Sequence, residues 1–147
     1  DDTVLAATMP ALFEQPEAFL ARCRAWARNT VVWVVPAHAG PKGLCFAGCL
    51  PSEWHREDET PGIDIVMRGL SSASRPQEAA FVDWTFTGIV PDLDQLAHWM
   101  AGRLGWSDAD ERRDHLHAHL AGKATRTAQG FRLDIVRRTA VLVWGKE

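Results

Sequence analysis

The pattern of apolar and polar residues in the first third of the chain predicts one helix and two strands. Apolar side chains recur every three or four residues over 16–28, which predicts a helix with one buried stripe. Residues 30–35 (TVVWVV) favour β-structure throughout and predict a strand that is buried on both faces. Residues 44–50 (LCFAGCL) follow a loop rich in proline and glycine, and they predict a second strand that forms a hairpin with the first.

The middle of the chain predicts two further strands. Residues 51–61 are polar and acidic and indicate a loop. In 62–70 (GIDIVMRGL) apolar residues alternate with Asp64 and Arg68, as they do in a strand with one buried face. Residues 81–90 (FVDWTFTGIV) alternate in the same way and predict another strand.

Two helices are predicted next along the chain. Asp92 is a good N-cap for a helix with an apolar stripe, and Gly105 ends that helix. Ser107 is in position to cap a third helix, which runs to about Ala121. Both helices precede a final stretch that favours β-structure.

The C-terminal stretch 131–145 (FRLDIVRRTAVLVWG) is strand-like throughout. Arg137 and Arg138 are poor turn residues, which favours one long bent strand over a hairpin at that point. Consecutive strands without alternating helices favour an antiparallel sheet. The sequence therefore predicts an α+β fold with an antiparallel sheet of about five strands, three helices packed mainly on one face, and a single globular domain over 1–147.

The composition fits an ordinary globular protein. The chain has 147 residues, of which 46% are apolar and 24% charged, so it can bury a core without a disulfide or a metal. Its three cysteines are an odd number, which fits poorly with a disulfide framework. No run approaches the roughly 18 apolar residues of a membrane span, and acids stand at the N-terminus where a secretory signal carries Lys or Arg. We therefore expect a cytoplasmic protein that does not contact a membrane.

The aromatic residues are the unusual feature of the composition. Seven tryptophans and six phenylalanines occur without a tyrosine. Most aromatic side chains belong to cores, but few small cores need so many. We therefore favour a non-catalytic binding or accessory protein, which holds a protein partner or alternatively a small ligand at a Trp-rich surface or pocket. Trp54 and Trp84 are the candidate binding residues.

Three histidines stand close together in residues 114–120 (DHLHAHL). On a helix, Glu111, His115 and His119 form a stripe at four-residue spacing, and two imidazoles so spaced can bind one Zn²⁺, as in the helices of zinc proteases. The glutamate that directly follows the first histidine in those enzymes is absent here. A metal-dependent enzyme or metal-binding protein is therefore an alternative function, with His98 as a candidate further ligand. A solvated helix face without metal explains the pattern more simply, and no other cofactor is expected.

The loop 37–43 carries a second set of candidate binding residues. Its Gly-Pro-Lys-Gly sequence can present backbone N–H groups and the Lys42 cation to a phosphate, and His38 stands beside them. In RNA-binding KH domains a GxxG segment joins two helices, whereas here it lies between predicted strands. A Walker loop is excluded because no Lys-Ser or Lys-Thr pair follows the glycine. A plain hairpin loop is the simpler interpretation.

Cys45 and Cys49 have the spacing of a metal or redox pair. In a strand their Cα atoms stand about 13 Å apart, which is too far for a disulfide or a shared metal. We therefore expect two separate core residues, and the same for Cys23 on the apolar stripe of the first helix. If either of the first two were a nucleophile, His38 would be the nearest base in sequence.

Charge is distributed unevenly along the chain. Residues 1–100 hold 7 basic and 13 acidic side chains, and residues 101–147 hold 9 and 6, which gives −6 and +3. A phosphate-binding face can be lined by Lys123, Arg126, Arg132, Arg137 and Arg138, with Trp144 available to stack on a base. A nucleic-acid-associated protein is therefore a third candidate function. The overall net charge of −3 disfavours it, and charge complementarity within the protein explains the asymmetry more simply.

Overall fold

The computed structural model describes residues 2–146, and this part of the chain has the α+β fold that the sequence predicts. It contains five strands, five helices and short 3-10 turns at Pro10–Leu12, Cys45–Cys49 and Ser72–Ser74. In chain order the elements are β1 (Thr3–Ala7), α1 (Pro16–Trp26), β2 (Thr30–Pro36), α2 (Ser52–His55), α3 (Gly62–Gly69), β3 (Glu78–Val90), α4 (Leu93–Arg103), α5 (Arg112–Lys123), β4 (Thr125–Thr127) and β5 (Gly130–Trp144).

Within the described residues the strands form one mixed sheet in the order β1-β2-β5-β3, and β4 pairs with β5. β1 pairs with β2 in parallel, with Thr3 beside Thr30, and α1 supplies the crossover that a parallel pair needs. β2 pairs with β5 antiparallel, with Val31 beside Trp144. The sequence predicted an antiparallel sheet because the short TVLAA segment of β1 has no strand pattern of its own.

Contacts divide the chain into two compact units. The first contains residues 2–42, 58–84 and 137–146, and the second contains residues 43–57 and 85–136. β3 and β5 each contribute residues to both units. The single domain over 1–147 stays a prediction, and each unit is described by itself below.

The core of the first unit packs α1 and α3 against β2. Trp33 in β2 is 1% exposed, and the rings of Phe13 and Phe19 contact it at centroid distances of 6.0 and 4.6 Å. The indole N–H of Trp33 donates to the carbonyl oxygen of Thr8 at 3.2 Å. Every second residue of β2 is fully buried and those between are half-buried, so its two faces are covered unequally.

The core of the second unit packs α4 against α5. Leu93, Leu96, Ala97 and Met100 are buried, which confirms the apolar stripe predicted for α4. Leu116 and Leu120 of α5 are each 0% exposed. Asp92 caps α4 as predicted, and its carboxylate accepts a hydrogen bond from the backbone N–H of Asp94 at 2.7 Å. Local periodicity and a capping residue were sufficient to predict this helix.

Two of the predicted strands are wrong. Residues 62–70 form α3 and its C-cap, where Val66 and Leu70 are buried. Their four-residue spacing fits a helix, and the apolar alternation that suggested a strand fits it only by coincidence. Residues 44–50 contain the 3-10 turn at Cys45–Cys49, so the hairpin predicted there does not form.

Several element boundaries near the C-terminus differ from the prediction. α5 begins at Arg112 and not at Ser107. Residues 107–110 instead form a turn, in which the N–H of Asp110 donates to the carbonyl oxygen of Ser107 at 3.1 Å. The carboxylate of Asp110 then accepts from the backbone N–H of Arg112 at 3.0 Å. β5 is one strand that continues through Arg137 and Arg138, as predicted. β4 has no distinctive signal in the sequence.

Cys23, Cys45 and Cys49 form no disulfide with one another, and burial raises the pKa of Cys23 and of Cys49. The thiol of Cys49 donates to the carbonyl oxygen of Phe46 at 2.9 Å.

Across residues 2–146, every helix is too short or too polar to span a lipid bilayer.

Candidate binding surface at the edge of the sheet

β3 is the last strand of the sheet, and its residues 78–84 belong to the first unit. β5 lies on one side of it, and no other strand of the described chain pairs with β3. All of residues 78–84 are exposed. Because side chains alternate between the two faces of a strand, neither face is covered here. This part of β3 therefore has one free edge and two open faces.

Large apolar side chains occupy this open segment. Phe81, Val82 and Trp84 expose 50%, 51% and 43% of their surface, and together this is on the order of 300 Å². We call these three side chains the edge surface. The alternation of the strand places Phe81 on one face and Val82 and Trp84 on the other. An uncovered strand edge with large apolar side chains beside it is a template for pairing with another chain.

Contacts with β5 hold the two rings of the edge surface in place. The guanidinium of Arg138 lies 4.6 Å from the ring centroid of Phe81, and its Nε is 3.5 Å from the carboxylate of Asp83. The indole N–H of Trp84 donates to the hydroxyl of Thr139 at 2.9 Å. Both rings are therefore oriented before a partner binds, which lowers the entropic cost of binding.

The other candidate tryptophan, Trp54, lies in the second unit and is half-buried among side chains. Its ring meets Trp106 edge-on at 5.7 Å and the imidazole of His119 at 5.4 Å. Nε2 of His119 is 2.6 Å from the carbonyl oxygen of Cys49. The sequence assigned Trp54 to a binding surface and His119 to a metal site, and the structure joins both in one packed cluster.

The two other residues of the predicted zinc site, Glu111 and His115, are exposed. Across residues 2–146 no three His, Cys, Asp or Glu side chains converge as a metal site requires. One ring nitrogen of His119 is engaged by the carbonyl of Cys49, so only the other is available to a metal. Zinc binding by these residues stays a prediction.

His38 and Lys42 contact the backbone and side chains of the first unit. Nζ of Lys42 donates to the carbonyl oxygens of Asp58 and Thr60 at 2.5 and 2.7 Å. Nε2 of His38 accepts from Nη1 of Arg137 at 2.6 Å. Burial, with the charge of Arg137 acting in the same direction, lowers the pKa of His38. These contacts tie the loop to its neighbours, and phosphate binding by the loop stays a prediction.

A polar groove of about 370 Å³ lies in the second unit between α4 and α5. Nε2 of His117 is 3.1 Å from the carboxylate of Asp94, and two backbone carbonyl oxygens accept hydrogen bonds from Arg113. His98 and Asp114 complete the lining. His117 and Arg113 already have partners within the protein, so the groove defines a ligand less clearly than the edge surface does.

The basic C-terminal residues have internal contacts. Nε of Arg132 is 3.2 Å from the carboxylate of Asp134, and Arg137 is 4% exposed. Trp144 is 1% exposed, so its ring is not available to stack on a nucleic-acid base. The stacking role predicted for Trp144 is therefore wrong, because the residue ends a strand inside the core of the first unit.

No protein-family model matches the chain, and no curated protein matches its sequence. The fold and the edge surface define the molecule as an α+β protein with an uncovered aromatic strand at the end of its sheet. Its function is inferred from that geometry.

Sequence reasoning identified Trp84 of the edge surface and missed Phe81 and Val82. Residues 81–90 were correctly placed in a strand, but a strand pattern does not reveal whether both faces are open. One signal was available, because two adjacent large apolar residues must point to opposite faces of a strand. Phe81 and Val82 are such a pair.

Proposed function

We propose that this chain is a non-catalytic binding protein that holds a partner protein at the edge surface. The partner adds an extended segment to the free edge of β3, so that its backbone pairs with residues 78–84. Its side chains pack beside the edge surface on both faces of the sheet. The observation that carries the proposal is the exposure of both faces of a strand with three large apolar side chains.

The energetics favour a protein segment over a small apolar ligand. Burial of the edge surface at about 25 cal/mol per Å² favours association by roughly 7 kcal/mol. The loss of translational and rotational freedom costs about 4–15 kcal/mol, so the apolar contact alone gives weak binding. Main-chain hydrogen bonds along β3 add the remaining affinity, and only an extended chain supplies them.

We place this function in the cytoplasm, because Cys23, Cys45 and Cys49 form no disulfide with one another and a reducing compartment disfavours disulfides. The zinc and nucleic-acid functions are weaker proposals. Within residues 2–146 no three-ligand cluster supports the first, and the burial of Trp144 counts against the second.

Photocrosslinking in cells tests the proposal. A photoreactive phenylalanine analogue replaces Val82 and, in a control, Trp26, which is 71% exposed at the end of α1. Crosslinked proteins are identified by mass spectrometry, and each candidate is purified and titrated into the isotopically labelled chain. We expect crosslinks from position 82, NMR shift changes concentrated on residues 78–84, and slower hydrogen exchange of their outward amides on binding.

Trp84→Gln is the matched variant, because glutamine keeps an N–H donor near Thr139 while it removes the ring. Trp26→Gln removes another exposed ring and serves as the control. We expect Kd for the purified partner to rise by at least about tenfold in the first variant and by less than about twofold in the second. Equal Kd values, or shift changes that avoid residues 78–84, would contradict the proposal.

A further inference from the structure

We infer that the partner segment is β3 of a second copy of this chain, an inference that rests on the proposed function of the edge surface. The two strands pair antiparallel over residues 78–84, across a two-fold axis at Phe81. Closed two-fold dimers are the commonest assemblies of identical chains. An antiparallel strand pair is compatible with this symmetry, because each strand presents the same edge to the other.

The symmetry leaves few registers to consider. A two-fold axis perpendicular to the sheet keeps each side chain on its own face, so one residue must face its own copy at the axis. With the axis at Phe81, residues 78–84 of one copy pair with residues 78–84 of the other. The other residues then form three kinds of pair between the copies, namely Glu78 with Trp84, Ala79 with Asp83, and Ala80 with Val82.

Asp83 selects this register among the symmetric ones. With the axis at Phe81, the two Asp83 residues are separated by four residues along the strands, or about 13 Å. An axis at Asp83 would place the carboxylates directly opposite each other, and an axis at Val82 would leave them diagonal at about 7–8 Å. Like charges directly opposite destabilise a strand pair, so the axis at Phe81 is favoured.

Pro76 disfavours a two-fold axis closer to the start of β3. An axis at Ala80 would set Trp84 opposite Pro76, which precedes the start of β3 and has no N–H to donate. That register pairs only residues 78–82 and leaves the ring of Trp84 beyond the paired segment. The axis at Phe81 therefore pairs residues 78–84 with one another and keeps the two Asp83 carboxylates about 13 Å apart.

This register covers both halves of the edge surface at once. On one face the two Phe81 rings meet across the axis, and each already has the guanidinium of Arg138 from its own copy 4.6 Å from its centroid. Aromatic side chains directly opposite each other stabilise an antiparallel pair. On the other face Val82 packs against Ala80, a small residue that leaves room for it.

The buried area sets the expected affinity. The edge surfaces and strand edges of two copies bury in total on the order of 1,000 Å², at the low end of specific interfaces. We therefore expect a reversible dimer with a Kd on the order of 10–100 μM.

Analytical ultracentrifugation of the full chain tests the dimer from micromolar to near-millimolar concentration. The weight-average mass of the wild type should rise toward twice that of the monomer. Phe81→Lys should remain monomeric at every concentration, because two ammonium groups would face each other at the axis. Trp26→Lys makes the same change in charge away from β3 and should dimerise as the wild type does. Circular dichroism establishes that each variant is folded.

A disulfide tests the register. Residues that face each other in an antiparallel pair have Cα atoms about 4.5–5.5 Å apart, a distance that a disulfide accepts. In a glutathione buffer, Phe81→Cys should form an intermolecular disulfide between its two copies of position 81. The yield should be at least about tenfold above that of Val82→Cys, whose thiol faces Ala80. Peptide mapping separates this bond from bonds made by the three natural cysteines.

Two results would overturn the homodimer. One is a monomeric wild type at all concentrations with equal disulfide yields from the two cysteine variants. The other is a dimer that persists in Phe81→Lys, because a different surface would then hold it. In either case the proposed function still holds, with another partner, if position 82 crosslinks to a different protein and Trp84→Gln loses binding to that protein. If position 82 crosslinks to no protein in cells, the proposed function is also overturned.

Discussion

Nη1 of Arg137 donates a hydrogen bond to Nε2 of His38 at 2.6 Å, across 99 residues of sequence. A guanidinium has only donors, so Nε2 must be the unprotonated nitrogen of a neutral ring. Nδ1 then carries the proton and donates to the carbonyl oxygen of Arg138 at 3.3 Å. The folded protein therefore selects one tautomer of His38, and protonation of the ring opposes this arrangement.

The free energy of unfolding should depend on pH through His38. Burial lowers its pKa below 6.5 in the folded protein, so between the folded pKa and 6.5 the unfolded chain binds more protons. The contribution to stability is complete above pH 6.5 and is lost as pH falls through the folded pKa. Urea unfolding from pH 8 to pH 5 should show a smaller loss for His38→Gln than for the wild type. If the free energy of unfolding fell equally in the two proteins between pH 8 and pH 5, His38 would not contribute to the pH dependence.

Gly130 should not tolerate a side chain. Its φ is +130°, and a Cβ at this position would collide with the carbonyl oxygen of Val90 and with Cα of Pro91 at 2.9 Å. Gly130→Ala should lower the free energy of unfolding by roughly 2–4 kcal/mol. Gly122→Ala is the control, because it lies in α5 with nothing within 4 Å of the added Cβ. That control should raise stability by about 0.4–1 kcal/mol, as measured by urea denaturation.

His119 and His115 should differ in their contribution to stability. His119→Ala removes both the bond to the carbonyl of Cys49 and the ring contact with Trp54, and should cost roughly 1–3 kcal/mol. His115 is exposed on the same helix, and His115→Ala should change stability by less than about 0.5 kcal/mol. Chemical denaturation of the two variants provides the comparison, and equal losses would contradict the packing role of His119.

The zinc prediction is tested with the same two variants. If Glu111, His115 and His119 bind Zn²⁺, protein purified without chelator should contain metal, and added Zn²⁺ should raise the melting temperature. Both effects should disappear in His115→Ala, although this substitution does not disturb the core. Metal-free protein whose melting temperature does not respond to Zn²⁺ would leave His119 with a packing role alone.

Asp110 should titrate at unusually low pH. Hydrogen bonds from the side chain and backbone of Arg112 lower its pKa from 3.8 to about 2, so its contribution to stability is present above pH 3.8 and is lost as pH falls through about 2. Carboxyl ¹³C NMR should give a midpoint near 2 in the wild type. Arg112→Gln should move it toward 3.8, and Arg103→Gln, which removes the same charge from the end of α4, should not.

Elements with one unambiguous period were predictable from the sequence. α1, β2 and α4 follow their helical or strand patterns, and β5 continues through Arg137 and Arg138 because neither residue favours a turn. Residues 62–70 have a pattern that fits both structures, and burial of Val66 and Leu70 in the core decides for the helix. β1 could not be predicted because its five residues form a strand only in pairing with β2.

The candidate site was predictable only in part. Trp84 was selected for its residue type, and so was Trp54, which packs against Trp106 and His119. Residue type does not separate the two, because either ring is stable in a core or at an interface. Their neighbours in the folded chain decide, and those neighbours lie far away in sequence.

The sequence by itself determined which segments become α1, β2, α4 and β5, because their periodicity is a property of consecutive residues. Only the tertiary structure decided that β3 ends the sheet, and that Trp33 and Trp144 are buried while Trp84 is open. Exposure depends on which strands pair and which helices cover them. Those contacts join residues far apart in the chain, and no pattern of neighbouring residues specifies them.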